Sequence, residues 1–456
     1  MTFKFLYSGI LVYLKGKVVQ MRMKNSDNVN RGIFIIMCLA FMAFVNAHGQ
    51  TWSETSLKYP DRDIRPGDSF GFSISMDGDY AVVGAPFYDI DRHKDAGKAF
   101  ILKKVDGRWD IIHELENPVP REGSLFGFSV LMKGAQVFVG APSPFSQERE
   151  GMVCHFTPNS GTWDGSVSRY VIYNPRKESG DGFGASLAMV RDVLAVGAPT
   201  ASGSSGRNGA VQLFDGSELR SKTFIKSIFP SSTDVSNFGA SVAGNTKYLF
   251  ATAPGDNESQ PRGAAFVFDY MEGFTEIAKL ESPDGAERNF GTLSAASSDT
   301  YAITSLSSNA NGSVGAVYIF SEGSGWNTVA SPECVFTPRE FVSSNSRYGA
   351  ALLLTEETLY IGYEGHYVEM LSKMDGWRSD TPSVLIRGEH RDEATSFGKG
   401  IATNGSDLLI GDHMYEKWGT SSGVVFASNG HPPQKYSETY QGTLSADYDH
   451  FGSEVD

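Results

Sequence analysis

Cysteine is scarce in this chain, which has three in 456 residues, at positions 38, 154 and 334. So few cysteines exclude a small disulfide-stapled scaffold. Cys154 and Cys334 fall in different parts of the chain, and we expect both to be unpaired, half-buried thiols. Basic residues are also fewer than acidic ones. The chain has 39 Lys and Arg and 53 Asp and Glu, which gives a formal net charge of −14. This excess of negative charge argues against nucleic acid and anionic lipid as partners, since like charges repel.

Recognisable catalytic motifs are missing as well. The histidines are scattered, and none forms a His-x-x-x-His or His-Glu pair of the kind that binds zinc on a helix. There is no Gly-x-Ser-x-Gly nucleophile elbow and no phosphate-binding glycine loop in a strand-to-helix setting. The chain also contains no Arg-Gly-Asp tripeptide. We therefore expect a protein that is not an enzyme.

Long apolar runs are confined to one segment near the N-terminus. Residues 21–31 carry three basic residues and one acid, residues 33–45 are apolar, and small residues follow at Ala47 and Gly49. This order is typical of a secretory signal peptide, and 13 apolar residues are too few to span a bilayer comfortably. We predict a leader and signal peptide over residues 1–49, with Met21 and Met23 as alternative starts. The mature chain, residues 50–456, would then be secreted or displayed at the cell surface, without a membrane span.

The sequence does contain a repeated motif. An aromatic-glycine pair begins at Phe70, Phe126, Phe183, Phe238, Phe290, Tyr348 and Phe397, and a further pair begins at Phe451. The first three pairs are Phe70-Gly71, Phe126-Gly127 and Phe183-Gly184. Successive starts are separated by 56, 57, 55, 52, 58 and 49 residues. A repeat of this length is the signature of an architecture built from similar stacked units.

A second motif begins 14 residues after each aromatic. It reads Gly84-Ala85-Pro86, Gly140-Ala141-Pro142 and Gly197-Ala198-Pro199 in the first three repeats. In the later repeats it drifts to Thr252-Ala253-Pro254, Thr304-Ser305-Leu306, Gly362-Tyr363-Glu364 and Gly411-Asp412-His413. The constant interval predicts two strands of five or six residues joined by a tight turn. We expect the proline to end the second strand, since it lacks an N–H for the ladder.

Two further strand signals complete each repeat. A glycine followed by an apolar run comes about 11 to 13 residues later, as at Gly97 and Gly209, and a glycine turn with an aromatic follows, as at Gly107 and Trp109. Four sequential strands cannot bury both faces of their sheet alone, but sheets stacked in a ring can. The pattern therefore predicts an all-β protein, a β-propeller of four-stranded antiparallel blades.

These motifs resemble FG-GAP repeats, the units of the N-terminal β-propeller of integrin α-chains and of other secreted proteins. The resemblance covers residues 51–456, almost all of the predicted propeller domain of residues 50–456, and implies seven blades. A strand-like segment ahead of Phe70 and the partial repeat at Phe451 leave two alternatives open, an eight-bladed ring and part of a longer array. The aromatic is expected to pack between neighbouring sheets, while its glycine allows close approach or a positive φ.

One loop has the composition of a calcium site. Asp89, Asp91 and Asp95 follow the first Gly-Ala-Pro, and carboxylates two residues apart can turn their oxygens towards one cation. Calcium loops of the resembled family usually read Asp-x-Asp/Asn-x-Asp-Gly with a later Asp. Here His93 takes the third ligand position and Lys94 replaces the glycine, so a solvated acidic turn is the alternative. We expect no other cofactor.

The resemblance, the export signal and the missing catalytic motifs favour a non-enzymatic recognition or adhesion module. Its partner would be an extracellular protein or glycan, bound through the blade loops. One alternative is a structural repeat region of a larger cell-surface protein. Another is an extracellular polysaccharide-active hydrolase or lyase, since propellers host enzymes as well as binding proteins.

Overall fold

The chain divides into two units, residues 1–52 and 53–456. The computed structural model describes residues 3–6, 9–14, 17–22, 53–57, 67–143, 151–177, 180–202, 208–217, 223–255, 263–283, 289–306, 315–322, 326, 331–338, 347–377, 384–387, 396–414 and 423–429. In the first unit, β1 (Phe3–Leu6), β2 (Gly9–Leu14) and β3 (Lys17–Arg22) form an antiparallel sheet. The apolar run of the predicted signal peptide, residues 33–45, and the partial repeat at 451 lie outside the described residues.

The second unit contains seven four-stranded antiparallel sheets, here called blades I to VII. Blade I consists of β5 (Ser73–Asp77), β6 (Tyr80–Ala85), β7 (Lys98–Val105) and β8 (Arg108–Glu116). Blade II consists of β9 (Ser129–Lys133), β10 (Gln136–Ala141), β11 (Met152–Pro158) and β12 (Val167–Tyr173). Blade III consists of β13 (Ser186–Val190), β14 (Val193–Ser202), β15 (Asn208–Asp215) and β16 (Phe224–Ile228).

The remaining blades follow the same order. Blade IV consists of β17 (Val242–Gly244), β18 (Tyr248–Ala253), β19 (Ala264–Asp269) and β20 (Thr275–Glu281). Blade V consists of β21 (Phe290–Ala296), β22 (Thr300–Ser305), β23 (Ala316–Ser321) and β24 (Cys334–Phe336). Blade VI consists of β25 (Tyr348–Leu354), β26 (Thr358–Tyr363), β27 (Tyr367–Ser372) and β28 (Val384–Ile386). Blade VII takes β29 (Gly400–Thr403), β30 (Asp407–Asp412) and β31 (Val424–Asn429) and adds a strand from elsewhere.

That added strand is β4 (Ser53–Leu57), which comes from ahead of blade I. It pairs antiparallel with β31, with Val425 opposite Leu57 and Asn429 opposite Ser53. The strand-like segment before the first repeat is therefore the outermost strand of the last blade and not a surplus overhang. Joining both ends of the propeller in one sheet closes the ring at seven blades, as predicted.

The first strands of the blades surround the axis of the ring. Each contacts the first strand of the next blade, and β29 of blade VII contacts β5 of blade I. The second strand of each blade lies between the first and third strands of its sheet and is almost wholly buried, as in β6 and β10. Apolar clusters combine residues of neighbouring blades, such as Phe138 and Val153 of blade II with Phe183 and Leu194 of blade III. The core therefore lies between blades, which is why no single repeat could fold alone.

No helix in the described ranges is long and apolar enough to cross a membrane. A 3-10 turn spans Lys373–Asp375, and Ser372 caps it by accepting a hydrogen bond from the Met374 N–H.

Candidate functional site

The two repeated motifs meet at the blade boundaries. The Gly127 carbonyl oxygen of blade II lies 2.0 Å from where a Cβ on Gly84 would sit, and the Ser73 hydroxyl donates to the same oxygen at 2.8 Å. Gly127 itself has a φ of +94°. The glycines of the two motifs therefore let successive blades approach closely, as expected.

The same geometry recurs around the ring. Parallel bridges join the aromatic of one blade to the glycine that opens the third strand of the blade before it, at Phe70 with Gly423, Phe126 with Gly97 and Phe238 with Gly209. The aromatic rings are buried, with Phe70 3% exposed and Phe126 fully covered. The Phe-Gly and Gly-Ala-Pro motifs thus have a structural role, which is to pack neighbouring blades against each other.

The prolines of the second motif behave differently from one blade to the next. β6 and β10 end just before Pro86 and Pro142, as predicted. In blade III, however, β14 continues beyond Pro199 to Ser202, and its register with β15 shifts between Ala198 and Ser202. The prediction that the proline ends the strand is wrong there, because an irregularity in the ladder accommodates the missing N–H.

The predicted calcium loop is ordered by its own backbone. Ile90 and His93 exchange backbone hydrogen bonds, and the Asp95 N–H donates to Asp89 Oδ1 at 2.9 Å. Asp91 and Asp95 both have a φ of +52°. Burial raises the pKa of the Asp95 carboxyl against the lowering effect of Lys94, and the charges of Asp89 and Glu122 raise it further.

Among the described residues, which include this whole loop, no three His, Cys, Asp or Glu side chains are arranged to hold a metal ion. Asp91 is exposed, while Asp89 and Asp95 are partly buried. Calcium binding by Asp89, Asp91 and Asp95 stays a prediction.

Both cysteines of the propeller are free, as expected. Cys154 is completely buried rather than half-buried, and burial raises the pKa of its thiol to about 12. Cys334 is partly buried, and its thiol lies 2.8 Å from the Trp377 carbonyl oxygen. Trp109, Trp163 and Trp377 are all nearly buried, which fits packing against neighbouring strands rather than contact with a ligand.

The ring has two different ends. The Phe-Gly pairs and the ends of the second strands lie at one end, here called the Phe-Gly face. The tight turns between first and second strands lie at the other, here called the hairpin face. The distinction follows from strand register, since Ser73 pairs with Gly84 at one end of the β5–β6 hairpin and Asp77 with Tyr80 at the other.

Ionisable side chains gather on the Phe-Gly face at blades VI and VII. This channel-mouth cluster consists of Arg347, Glu364, Lys399, Asp412 and His413. Three of its members occupy the drifted second motif, at positions where blades I to III have alanine or proline. The drift is the sequence signal that identifies them, although only the fold shows that the two blades bring them together.

Hydrogen bonds link the acidic members of the cluster. Arg347 Nε lies 3.1 Å from Glu364 Oε2, and the Ser396 hydroxyl lies 3.3 Å from Glu364 Oε1. The Ser396 N–H donates to Asp412 Oδ1 at 2.7 Å. Burial raises the pKa of the Asp412 carboxyl to about 6, although this hydrogen bond and one from the Met414 N–H act in the opposite direction.

The basic members contact an aromatic side chain of blade I. The His413 ring packs edge-on against Phe72 at 5.3 Å, and Lys399 Nζ lies 5.5 Å from the centre of the same ring. Burial lowers the pKa of the His413 imidazole to about 4, and the charges of Lys399 and Arg347 lower it further. Its Nδ1 is buried and has no hydrogen-bond partner among the described residues. His413 is therefore neutral near pH 7.

A cavity of about 640 Å³ opens on the hairpin face. Turns and strands of blades I, VI and VII line it, including Met76, Met370, Glu356, Glu357 and Tyr360. Some of its polar groups serve the fold, because Glu356 accepts hydrogen bonds from the Ser298 N–H and hydroxyl. Blades VI, VII and I thus carry distinctive features at both ends of the ring.

Comparison with known proteins identifies the repeat. Residues 57–102 and 177–214 match the family model of the FG-GAP repeat. The first stretch runs from the end of β4 into β7, and the second contains β13, β14 and most of β15. No curated protein matches the chain significantly. With matched repeats in blades I and III and the same motif contacts around a closed seven-bladed ring, the chain is a β-propeller that contains FG-GAP repeats.

Proposed function

We propose that this protein is an exported, non-enzymatic recognition module that binds a protein or glycan on its Phe-Gly face, at the mouth of the central channel. The channel-mouth cluster carries the proposal. Ionisable side chains replace the alanine and proline of the second motif in two adjacent blades, whereas blades I to III are built without ionisable groups at these positions. Ligand sites combine a few convergent polar groups with apolar surface, which Phe72 supplies.

Export and a surface location are supported by the predicted signal peptide and by the family, since FG-GAP repeats are typically extracellular. The chain's net charge of −14 also suits a soluble module that avoids nucleic acid. A role as a structural repeat of a larger surface protein would need no channel-mouth cluster, which is why we favour recognition.

The test is a binding screen of the full protein against arrays of matrix proteins and glycans. We expect Arg347→Ala to weaken binding at least tenfold, because its side chain is 56% exposed at the channel mouth. Lys247→Ala is the matched control, because Lys247 is an equally exposed cation paired with Glu322, but it lies on the hairpin face. An empty screen, or equal losses in both variants, would refute the proposal.

One observation favours an enzyme as the second candidate. The cluster holds a carboxyl whose pKa is raised to about 6 beside a lysine whose pKa is lowered, and perturbed groups of this kind concentrate in active sites. Against it, Asp412 is only 2% exposed and its carboxylate accepts a backbone hydrogen bond. The test is turnover of an acidic polysaccharide by the parent and by Asp412→Asn. If the parent degrades the polysaccharide and the variant does not, the protein is an enzyme and the proposal of a non-enzymatic recognition module is wrong.

A further inference from the structure

The residues that follow the seven aromatic-glycine pairs form a ring around the axis. They are Phe72, Phe128, Ala185, Ala240, Thr292, Ala350 and Lys399. All except Ala350 are partly exposed, although both residues of every preceding pair are buried. These residues precede or open the first strands, which surround the axis, so they lie at the mouth of the central channel. Four consecutive blades have small side chains at this level, whereas blades I and II have phenylalanine and blade VII has lysine.

Lys399 is a cation without a counterion in this ring. Its Nζ lies 5.5 Å from the Phe72 ring centre and 3.4 Å from the Ala350 carbonyl oxygen. It forms no ion pair with any described residue. Burial lowers its pKa, and so does the charge of Arg347, whereas Glu364 raises it. A desolvated charge without a partner is costly, and the other six blades keep a neutral side chain at this position.

The charged groups around Lys399 are already engaged. Glu364 is paired with Arg347 and accepts from Ser396, and the Asp412 carboxylate accepts the Ser396 N–H. His413, which also contacts Phe72, is neutral near pH 7 because burial lowers its pKa to about 4. Within the described part of the cluster, Lys399 is the cation that forms no ion pair, although the charge of Glu364 favours its protonated form.

We propose that the central channel binds a small monoanionic ligand of the carboxylate class, with its anionic group against Lys399 Nζ and its apolar part against Phe72 and Phe128. Phe128 packs 5.2 Å from Phe72 and extends the apolar wall into blade II. The ligand carries a single negative charge, because the net charge of −14 repels a polyanion. This inference rests on the proposed function and names the chemistry recognised at the same face.

The experiment is calorimetric titration of the full protein with D-galacturonate and with D-galactose, its neutral counterpart. We expect galacturonate to bind and galactose to bind at least tenfold more weakly. Lys399→Met should abolish this difference, whereas Lys399→Arg should retain it, because arginine keeps the charge. Lys133→Met, which removes an exposed lysine of the hairpin end, should bind as the parent does.

The pH dependence gives an independent measurement. Galacturonate affinity should fall as pH rises through the lowered pKa of Lys399, and in Lys399→Arg the fall should disappear. Glu364, Arg347, Asp412 and His413 face the same site, so each pH series is compared with that of Lys399→Met. This variant is expected to fold, because replacing an unpaired desolvated charge by an apolar side chain of similar length is neutral or stabilising.

Equal binding of the two sugars, or galacturonate binding that Lys399→Met leaves intact, would overturn the anion site. If in that case Arg347→Ala still weakened the binding of a ligand found in the array screen, the proposed recognition function would stand without the anion site. If galacturonate bound through Lys399 while the array detected no Arg347-dependent ligand, the channel site would stand and the wider recognition role would fall. A Lys399→Met variant that failed to fold would contradict the view that Lys399 serves a ligand rather than the fold.

Discussion

Lys104 of blade I reaches across the ring closure to Asp407 of blade VII and donates to both of its carboxylate oxygens, at 2.6 and 2.8 Å. Asp407 is only 1% exposed at its side chain, and Lys104 is 23% exposed. The contact links blade I to blade VII, so it holds together the blade boundary next to the sheet in which β4 pairs with β31.

Removing the cation of this pair should destabilise the propeller. Lys104→Met leaves the Asp407 carboxylate buried without its counterion, and breaking a buried pair in this way costs about 3 kcal/mol. Guanidinium denaturation measured by fluorescence would show the loss. The neighbouring variant Lys103→Met is the control, because its partner Asp164 is 49% exposed, and its midpoint should stay close to that of the parent. Equal midpoints for the two variants would contradict a closing role for Lys104.

The glycine of the second motif should not accept even a methyl group. In Gly84→Ala the new Cβ would lie 2.0 Å from the Gly127 carbonyl oxygen and 2.4 Å from Ser73 Oγ, so blades I and II must move apart. We expect a loss of at least about 3 kcal/mol of unfolding free energy, at the upper end of overpacking costs, since backbone must shift. Gly165→Ala, where Ser160 Oγ at 3.3 Å is the nearest atom, should change it by less than about 0.5 kcal/mol. A well-tolerated Gly84→Ala would contradict this account of the motif.

The sequence was sufficient for the blades and insufficient for the site, for a physical reason. A repeat on a fixed interval reflects a fixed backbone geometry, so the strand pairs and the close approach at Gly84 could be predicted. Seven blades were implied by the family resemblance, but an eight-bladed ring and a longer array stayed open until the pairing of β4 with β31 was seen. The role of β4 could not be predicted, because its partner β31 is distant in sequence. The residues of β4 also resemble those of the fourth strand of any blade, so they do not show which blade it joins. Glu364, Asp412 and His413 were visible as departures from the motif. Their convergence with Lys399 and Phe72 depends on the juxtaposition of blades VI, VII and I.

The acidic loop of blade I offers a direct test of metal binding. If Asp89, Asp91 and Asp95 bind calcium, millimolar Ca²⁺ should raise the Tm of the parent, because a ligand that binds only the folded state stabilises it. Asp91→Ala should abolish the increase, since it removes a predicted ligand that is exposed and whose side chain forms no hydrogen bond or ion pair with the described residues. Asp106→Ala, at a turn of the same blade, is the control that should preserve it. Calorimetric melts with and without Ca²⁺ that coincide for parent and Asp91→Ala would end the calcium assignment.

Asp412 and His413 should make opposite contributions to the pH dependence of stability. The folded-state pKa of Asp412 is raised from 3.8 to about 6, so its contribution to stability falls as pH rises from about 4 to 6. The pKa of His413 is lowered from 6.5 to about 4, so its contribution rises over nearly the same range. Each is worth about 3 kcal/mol, and in the parent the two largely cancel.

Single substitutions should separate them. Relative to the parent, Asp412→Asn should gain stability as pH rises from 4 to 6, because the opposing carboxyl has been removed. His413→Gln should lose stability over the same range, because only the carboxyl then titrates. Urea denaturation at half-unit pH steps gives both difference curves, and subtraction of the parent removes contributions from all other groups. Difference curves that are flat, or that slope in the same direction, would show that the two groups do not titrate as a buried neighbouring pair.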